Sequence, residues 1–195
     1  MREFIETQRL VIKPLTDAEA HVVLPVYENS ADYLDTQTPE PPSIEMVRLD
    51  LEWAARNNSL YCGLFKRETN DPIGVISFVP HSFRGQRDYA WLSQLMIQEK
   101  DRLAGYGTEA YRAVEEHIFQ DEAVTRIGTL LIPQFDASLR FAEKMGFEQA
   151  GGPFKNKRGY GLYSYVKKRS GTPETAGEKI WRESRQALEE AKKDV

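Results

Sequence analysis

Cysteine is almost absent: Cys62 stands alone, so no disulfide can close within the chain and no metal cluster can be built on its cysteines. Histidine is scarce as well, and His21, His81 and His117 show no metal-ligand spacing. No apolar run is long enough to cross a bilayer. The opening residues Met1-Arg2-Glu3-Phe4 do not begin the apolar core of a secretory signal. A cytoplasmic protein with no membrane partner is the expectation. Net positive charge is lacking too. A formal charge of -4 argues against a nucleic-acid partner bound by neutralising phosphates. No internal repeat is visible.

What is present fits one globular domain. Apolar residues at 41% against charged residues at 29% are the balance of a chain that buries a core, and 195 residues supply enough of it. Residues 9–14 form a short β-branched strand stopped by Pro14. Thr16 and Glu19 fit a capping box, and the helix they start should kink or end near Pro25. Residues 35–42 are a loop by composition. Ser43 then caps a helix whose apolar positions are Ile44, Val47, Leu51, Ala54 and Ala55, ended by Asn57-Asn58. Residues 60–66 and 73–79 read as a hairpin, 80–87 as a loop and 89–97 as a third strand. A turn over 102–107 leads into a helix over 108–119 with Ala110, Ala113, Val114 and Ile118 on its apolar face. Residues 125–132 form a strand. A helix capped by Asp136 follows, ending at Gly146 as a left-handed stop. A last hairpin spans 148–167, turning through 156–159. Pro173 is well placed to start a C-terminal helix, lying on the surface or on a partner, in which only Ile180, Trp181 and Leu188 are sizeable apolar groups. The order predicts an α/β fold: a mixed, largely antiparallel sheet with helices on both faces. Residues 1–168 make one domain and 169–195 a helical extension. If the strands flanking the 108–119 helix are parallel, their crossover is right-handed.

Chemistry concentrates at Arg102-Leu103-Ala104-Gly105-Tyr106-Gly107, an R-x-x-G-x-G turn between strand and helix. Glycines let backbone approach a ligand and adopt dihedrals closed to other residues. The free amides and positive dipole end of the helix then make an anion site suited to a pyrophosphate. Taken alone, the same six residues also fit a plain tight turn.

The wider context resembles the GNAT superfamily of N-acetyltransferases over residues 7–167. The turn resembles that family's Q/R-x-x-G-x-G/A acyl-CoA loop. Its continuation through Thr108-Glu109-Ala110 resembles the ribosomal-protein N-terminal acetyltransferase branch. The stretch 137–147, with its terminal Gly146-Phe147, resembles the family's next helix. Arg9-Leu10 with Pro14-Leu15 resembles its first strand, and Ile73-Gly74-Val75-Ile76 its third. The resemblance implies acetyl-CoA as cosubstrate and a primary amine, on a small molecule or a protein N-terminus, as acceptor. The amine attacks the thioester directly in a ternary complex. Leu95, Met96 and Ile97 match positions whose backbone pairs with the pantetheine arm. The loop Arg102, Leu103, Ala104, Gly105, Tyr106, Gly107 and Thr108 matches the pyrophosphate cradle. The strands on either side of the helix are expected to splay, and the backbone N–H of Met96 to face the developing oxyanion.

The sequence departs from the family at three places. Phe135 stands where many members have a pantetheine-binding asparagine, and Ala142 where many have a tyrosine that protonates the thiolate. Ser138 matches a serine that takes over that role in the branch just named; capping or packing at the helix start is its other reading. Trp91-Leu92-Ser93-Gln94 carries no carboxylate where a glutamate base is common. Nearby, Asp88 and His81 are the titratable groups, and a water chain is a further route for the proton. Cys62 reads as a buried strand thiol, with an acyl-cysteine route as its other reading. Residues 155–158 read as a solvated hairpin tip that could meet an acidic substrate. His21 and His117 read as packing or surface residues on helices. Two functional readings stay open: an active acetyltransferase, with acceptor specificity in residues 35–42, the helix after Ser43 and residues 80–88, or an acyl-CoA-binding or sensing module without turnover. The helical extension admits a homodimer contact.

Overall fold

The chain folds into two compact units, Met1–Val124 and Thr125–Val195. The computed structural model describes residues 4–35, 38–156 and 158–191. Expectations that fall on Met1, Arg2, Glu3, Thr36, Gln37, Lys157 and residues 192–195 lie outside them. The first unit holds strands β1 (Ile5–Glu6) and β2 (Leu10–Pro14) and helices α1 (Ala20–Glu28), α2 (Ala31–Leu34) and α3 (Ile44–Arg56). Strands β3 (Leu60–Lys66), β4 (Pro72–Val79) and β5 (Tyr89–Ile97) and helix α4 (Tyr106–Phe119) complete it. The second unit holds β6 (Arg126–Leu131), α5 (Asp136–Lys144), β7 (Glu148–Lys155), β8 (Gly161–Lys168) and α6 (Ala176–Ala191).

In the first unit each strand pairs antiparallel with the next, from β1 to β5. Register sets the faces. Tyr61 lies opposite Ser77, and Val75 opposite Met96, so these side chains share one face. Against it pack Val23, Val26 and Tyr27 of α1 and Val47, Leu51 and Ala54 of α3. Phe78 points to the other face, where its ring meets His117 of α4 edge-on at 6.3 Å. Helices therefore cover both faces, as the sequence pattern predicts. Between Ser77 and Phe78 the register with β5 shifts by one, leaving Ser93 as an extra residue between Gln94 and Leu92. In the second unit β8 lies between β6 and β7, again antiparallel.

Several boundaries differ from the sequence reading, each for a local reason. Pro25 does not end α1, which runs on to Glu28. Proline forfeits one bond, to the carbonyl of His21, and both residues are on the exposed side where water replaces it. Ala55 is exposed rather than part of the α3 core stripe. Asp136 is the first residue of α5, not its cap, and pairs with Arg140 one turn on. Helix α6 starts beyond Pro173, at a capping box: Thr175 N–H donates to Glu178 at 2.7 Å and Glu178 N–H to the Thr175 hydroxyl at 3.2 Å. It lies against β7, with Trp181 half-buried and Ile180 and Leu188 exposed. The stop after α5 is as expected. Gly146 adopts φ +83°, its N–H donates to Glu143, and the Phe147 N–H reaches back to Ala142 at 2.9 Å.

Gly74 permits the β4–β5 pairing on which the site depends. A Cβ there would stand 2.5 Å from the Met96 carbonyl oxygen, a backbone atom that cannot swing away. Gly74→Ala should cost about 1–3 kcal/mol of stability, the usual range for overpacking, measured by urea denaturation. An unchanged midpoint would mean that the strands separate without penalty.

Candidate functional site

Helix α4 begins two residues earlier than its apolar pattern suggests, so Gly107 and Thr108 lie inside its first turn. The chain enters through a strained loop. Leu103 holds φ +62° although fully exposed, and Gly105, the cap residue, holds φ +85°. A left-handed leucine costs of order 1 kcal/mol, and nothing apolar covers it. The first helical bond runs from the Glu109 N–H to the Gly105 carbonyl at 3.0 Å. The amides of Tyr106, Gly107 and Thr108 precede it and have no partner in the helix. Gly105 has no side chain to cap them. By contrast, Ser43 caps α3 by accepting from the Met46 N–H. The α4 end thus presents outward amides at the positive end of a fourteen-residue helix.

Two arginines hold this open end in place. Arg9, ahead of β2, donates through Nη1 to the Ala104 carbonyl at 3.0 Å and through Nε to Glu109 Oε2 at 2.6 Å. Its guanidinium lies 4.4 Å from the centre of the Tyr106 ring. Thr7 Oγ1 and the Arg9 backbone N–H both donate to Glu109 Oε1. On the other side Arg102 donates to both oxygens of Asp32 at 2.7 and 3.0 Å and to the Ile97 carbonyl at 2.8 Å. Its guanidinium is therefore a strut that joins the loop to α2 and to the end of β5. The Arg102 hydrogen bond holds the Asp32 carboxyl below the usual carboxylate range. Lys66 adds a third tie, 2.7 Å from Asp101 within the loop.

The strand residues divide by backbone direction. Gln98 N–H donates to the Ile73 carbonyl at 2.9 Å. In an antiparallel pair the hydrogen-bonded residues alternate, so Met96 turns both its N–H and its C=O towards Val75. The closeness of the Met96 oxygen to Gly74 agrees with this. Met96 is thus committed to β4, which corrects the expectation of a free amide there. The backbone groups of Leu95 and Ile97 face away from β4, and the Ile97 carbonyl already accepts from Arg102.

The remaining candidates fall elsewhere. Ser138 is half-buried in the first turn of α5 in the second unit, Phe135 precedes that helix, and Ala142 is 2% exposed. His81 is exposed, with Nδ1 3.2 Å from the Ser82 hydroxyl, and His21 is exposed on α1. Cys62 is buried, and burial pushes its thiol up to about 12, so it offers no thiolate for an acyl-cysteine route. Sequence reading missed Arg9, Asp32, Lys66 and Glu109 as site-builders. The one signal for Arg9 was its place in the first-strand motif.

The glycine-started helix end between strand and helix, held by charged struts, is one whose outward amides suit an anionic group. A family model described as an acetyltransferase (GNAT) domain matches residues 9–148, and the chain belongs to that family of acetyl-CoA-using acetyltransferases. It is 26% identical over 155 residues to the uncharacterized N-acetyltransferase YoaA of Bacillus subtilis (strain 168), covering 77% of this chain and 86% of that protein. Its fold is similar to that of a Salmonella typhimurium acetyl transferase that modifies the N-terminal serine of the 50S ribosomal subunit protein L7/L12. There the TM-score is 0.70 at 16% identity, over 86% of this chain and 100% of that one. It is also similar to an aminoglycoside acetyltransferase in complex with coenzyme A, with TM-score 0.64 at 21% identity, over 82% and 95%. Among the described residues no helix is long and apolar enough to cross a membrane.

Glu109 links the cradle to Arg9 and carries a pH signature. Burial alone raises its pKa, but the bonds from Thr7 and Arg9 outweigh burial and hold the carboxyl below its usual 4.5. A depressed folded-state pKa gives stability that is present above the unfolded value and lost as pH falls through the folded one. Glu109→Gln should therefore melt below the wild type at neutral pH, with the gap closing as the pH drops below the carboxylate range. A gap that stays constant with pH would show that the charge on Glu109 does not matter.

Proposed function

We propose that the chain transfers an acetyl group from acetyl-CoA to a primary amine, on a small molecule or a protein N-terminus, by direct attack in a ternary complex. The observation that carries this reading is the open, uncapped N-terminus of α4, entered by the loop that follows β5. The pyrophosphate of acetyl-CoA binds the amides from Leu103 to Thr108, where the helix dipole favours negative charge. The pantetheine arm runs along the outward backbone of Leu95 and Ile97. The outward amide of Leu95, rather than that of Met96, donates to the oxyanion that develops at the thioester carbonyl. Ser138 supplies a proton to the departing thiolate. Residues 80–88 and the helix after Ser43 shape the acceptor site. A relative that acetylates the N-terminal serine of a ribosomal protein supports a protein N-terminus as one acceptor class. The absence of the familiar asparagine, tyrosine and glutamate favours, as a second reading, a domain that binds acyl-CoA without turnover.

Calorimetric titration with acetyl-CoA tests the cradle. Gly105→Asp with Gly107→Asp adds two carboxylates where the phosphates bind and should weaken binding by roughly 100-fold in a chain whose circular dichroism is unchanged. Thiol release with a panel of alkylamines and short peptides bearing a free N-terminus then separates the two readings. Turnover identifies the enzyme, and tight binding without turnover identifies the sensing module. A well-folded wild type that binds no acetyl-CoA would falsify both.

A further inference from the structure

Direction along β5 fixes where an acceptor can stand. With the pyrophosphate at the start of α4 and the pantetheine arm running back along Ile97 to Leu95, the acceptor approaches from beyond Leu95. There β5 runs back through the bulge at Ser93 to Trp91 and Tyr89. Trp91 lies opposite Val79, on the face of the sheet that carries Tyr61, Val75 and Met96. The core formed with α1 and α3 takes in Tyr61, Val75 and Met96 but neither Val79 nor Trp91.

What covers this end of the strand is aromatic. Phe83 of the 80–88 loop stacks on Trp91, with ring centres 4.5 Å apart and planes 12° from parallel. Tyr89 meets Phe83 at 5.9 Å and Trp91 at 6.2 Å, both edge-on. All three rings are half-buried. The backbone that delivers Phe83 is held in a conformation uncommon outside glycine: φ is +58° at Ser82 and +52° at Arg84, followed by +79° at Gly85. Such residues persist where their surroundings impose them, and they gather at ligand clamps. Arg84 is exposed, with its guanidinium 5.4 Å from the centre of the Phe83 ring. Arg87 is taken by Asp121 at 2.8 Å, and Asp88 is half-buried with contacts of its own. Arg84 has no carboxylate partner among the described residues. Aromatic rings beside an arginine are the composition of a binding surface, and rings already stacked on one another lose little freedom when a partner arrives.

We propose that Phe83, Tyr89, Trp91 and Arg84 form a subsite for the third and fourth residues of a peptide acceptor, the rings taking an apolar side chain and Arg84 a carboxylate. The proposal rests on the amine-acetylation reading above. Reach selects the peptide. Leu95 and Trp91 are four residues apart, one of them bulged, which is roughly 10–13 Å at about 3.3 Å per residue. An extended peptide with its α-amine at Leu95 rises by the same amount per residue, so its third and fourth side chains come level with the rings. A small amine held at Leu95 stops short of them.

The test uses the full chain with acetyl-CoA and follows thiol release. The acceptors are an alanine dipeptide amide, a tetrapeptide amide of alanine, alanine, leucine and glutamate, and the same tetrapeptide ending in lysine. The glutamate tetrapeptide should exceed the dipeptide in kcat/KM by about tenfold, the worth of one anchor residue, mainly through KM. Phe83→Ala should remove most of that advantage. Arg84→Gln should abolish the preference for glutamate over lysine and keep the preference for length. Equal kcat/KM for dipeptide and tetrapeptides in the wild type would overturn the proposal in favour of a small-molecule acceptor. A length advantage that Phe83→Ala leaves intact, because it slows both peptides by the same factor or neither, would assign the rings to the fold alone. No turnover of any amine by a chain that binds acetyl-CoA would instead remove the transferase reading, and the subsite with it.

Discussion

Everything in the first unit converges on a helix terminus left without a cap. Helix α4 begins at a glycine, so its first amides have no side chain to satisfy them and are left to solvent or to an anion. The surroundings keep the row open and still. Arg9 ties it to the start of β2, Arg102 ties it to α2 and the end of β5, and Lys66 ties the loop to β3. Each strut also neutralises a carboxylate, Glu109, Asp32 or Asp101, so the positive field at the cradle comes from the helix dipole and from charges already fixed in place. That is preorganisation: the cost of arranging donors is met in folding rather than in binding.

The glycine turn that starts α4 was legible in the sequence because its geometry is local. Gly105 and Gly107 stand at a strand-to-helix junction, and backbone geometry there needs little from the rest of the chain. The struts were not legible, because their partners are far apart in sequence. Arg9 meets Glu109 and Asp32 meets Arg102 only once the strands are in register. The direction of the Met96 amide was hidden for a related reason. Which backbone groups face outward depends on strand parity, and parity follows from the pairing with β4 and the bulge at Ser93, which no periodicity reveals. The helices and long strands were read well, since apolar repeats such as Val47, Leu51 and Ala54 report burial directly. Short elements such as α2 have too few residues for a pattern.

The core of the first unit also holds chemistry that composition conceals. Tyr27, Asp50 and Tyr61 read in sequence as ordinary members of two helices and a strand. Only the fold places them in contact.

The most direct test of the cradle is an amide-resolved NMR titration, comparing coenzyme A with pantetheine, which lacks the pyrophosphate. The account predicts that coenzyme A shifts the amides of Gly105, Gly107 and Thr108 strongly and that pantetheine leaves them nearly unmoved while still perturbing Leu95 and Ile97. Equal shifts with both ligands, or none at the start of α4, would contradict the claim that these backbone donors hold the phosphates.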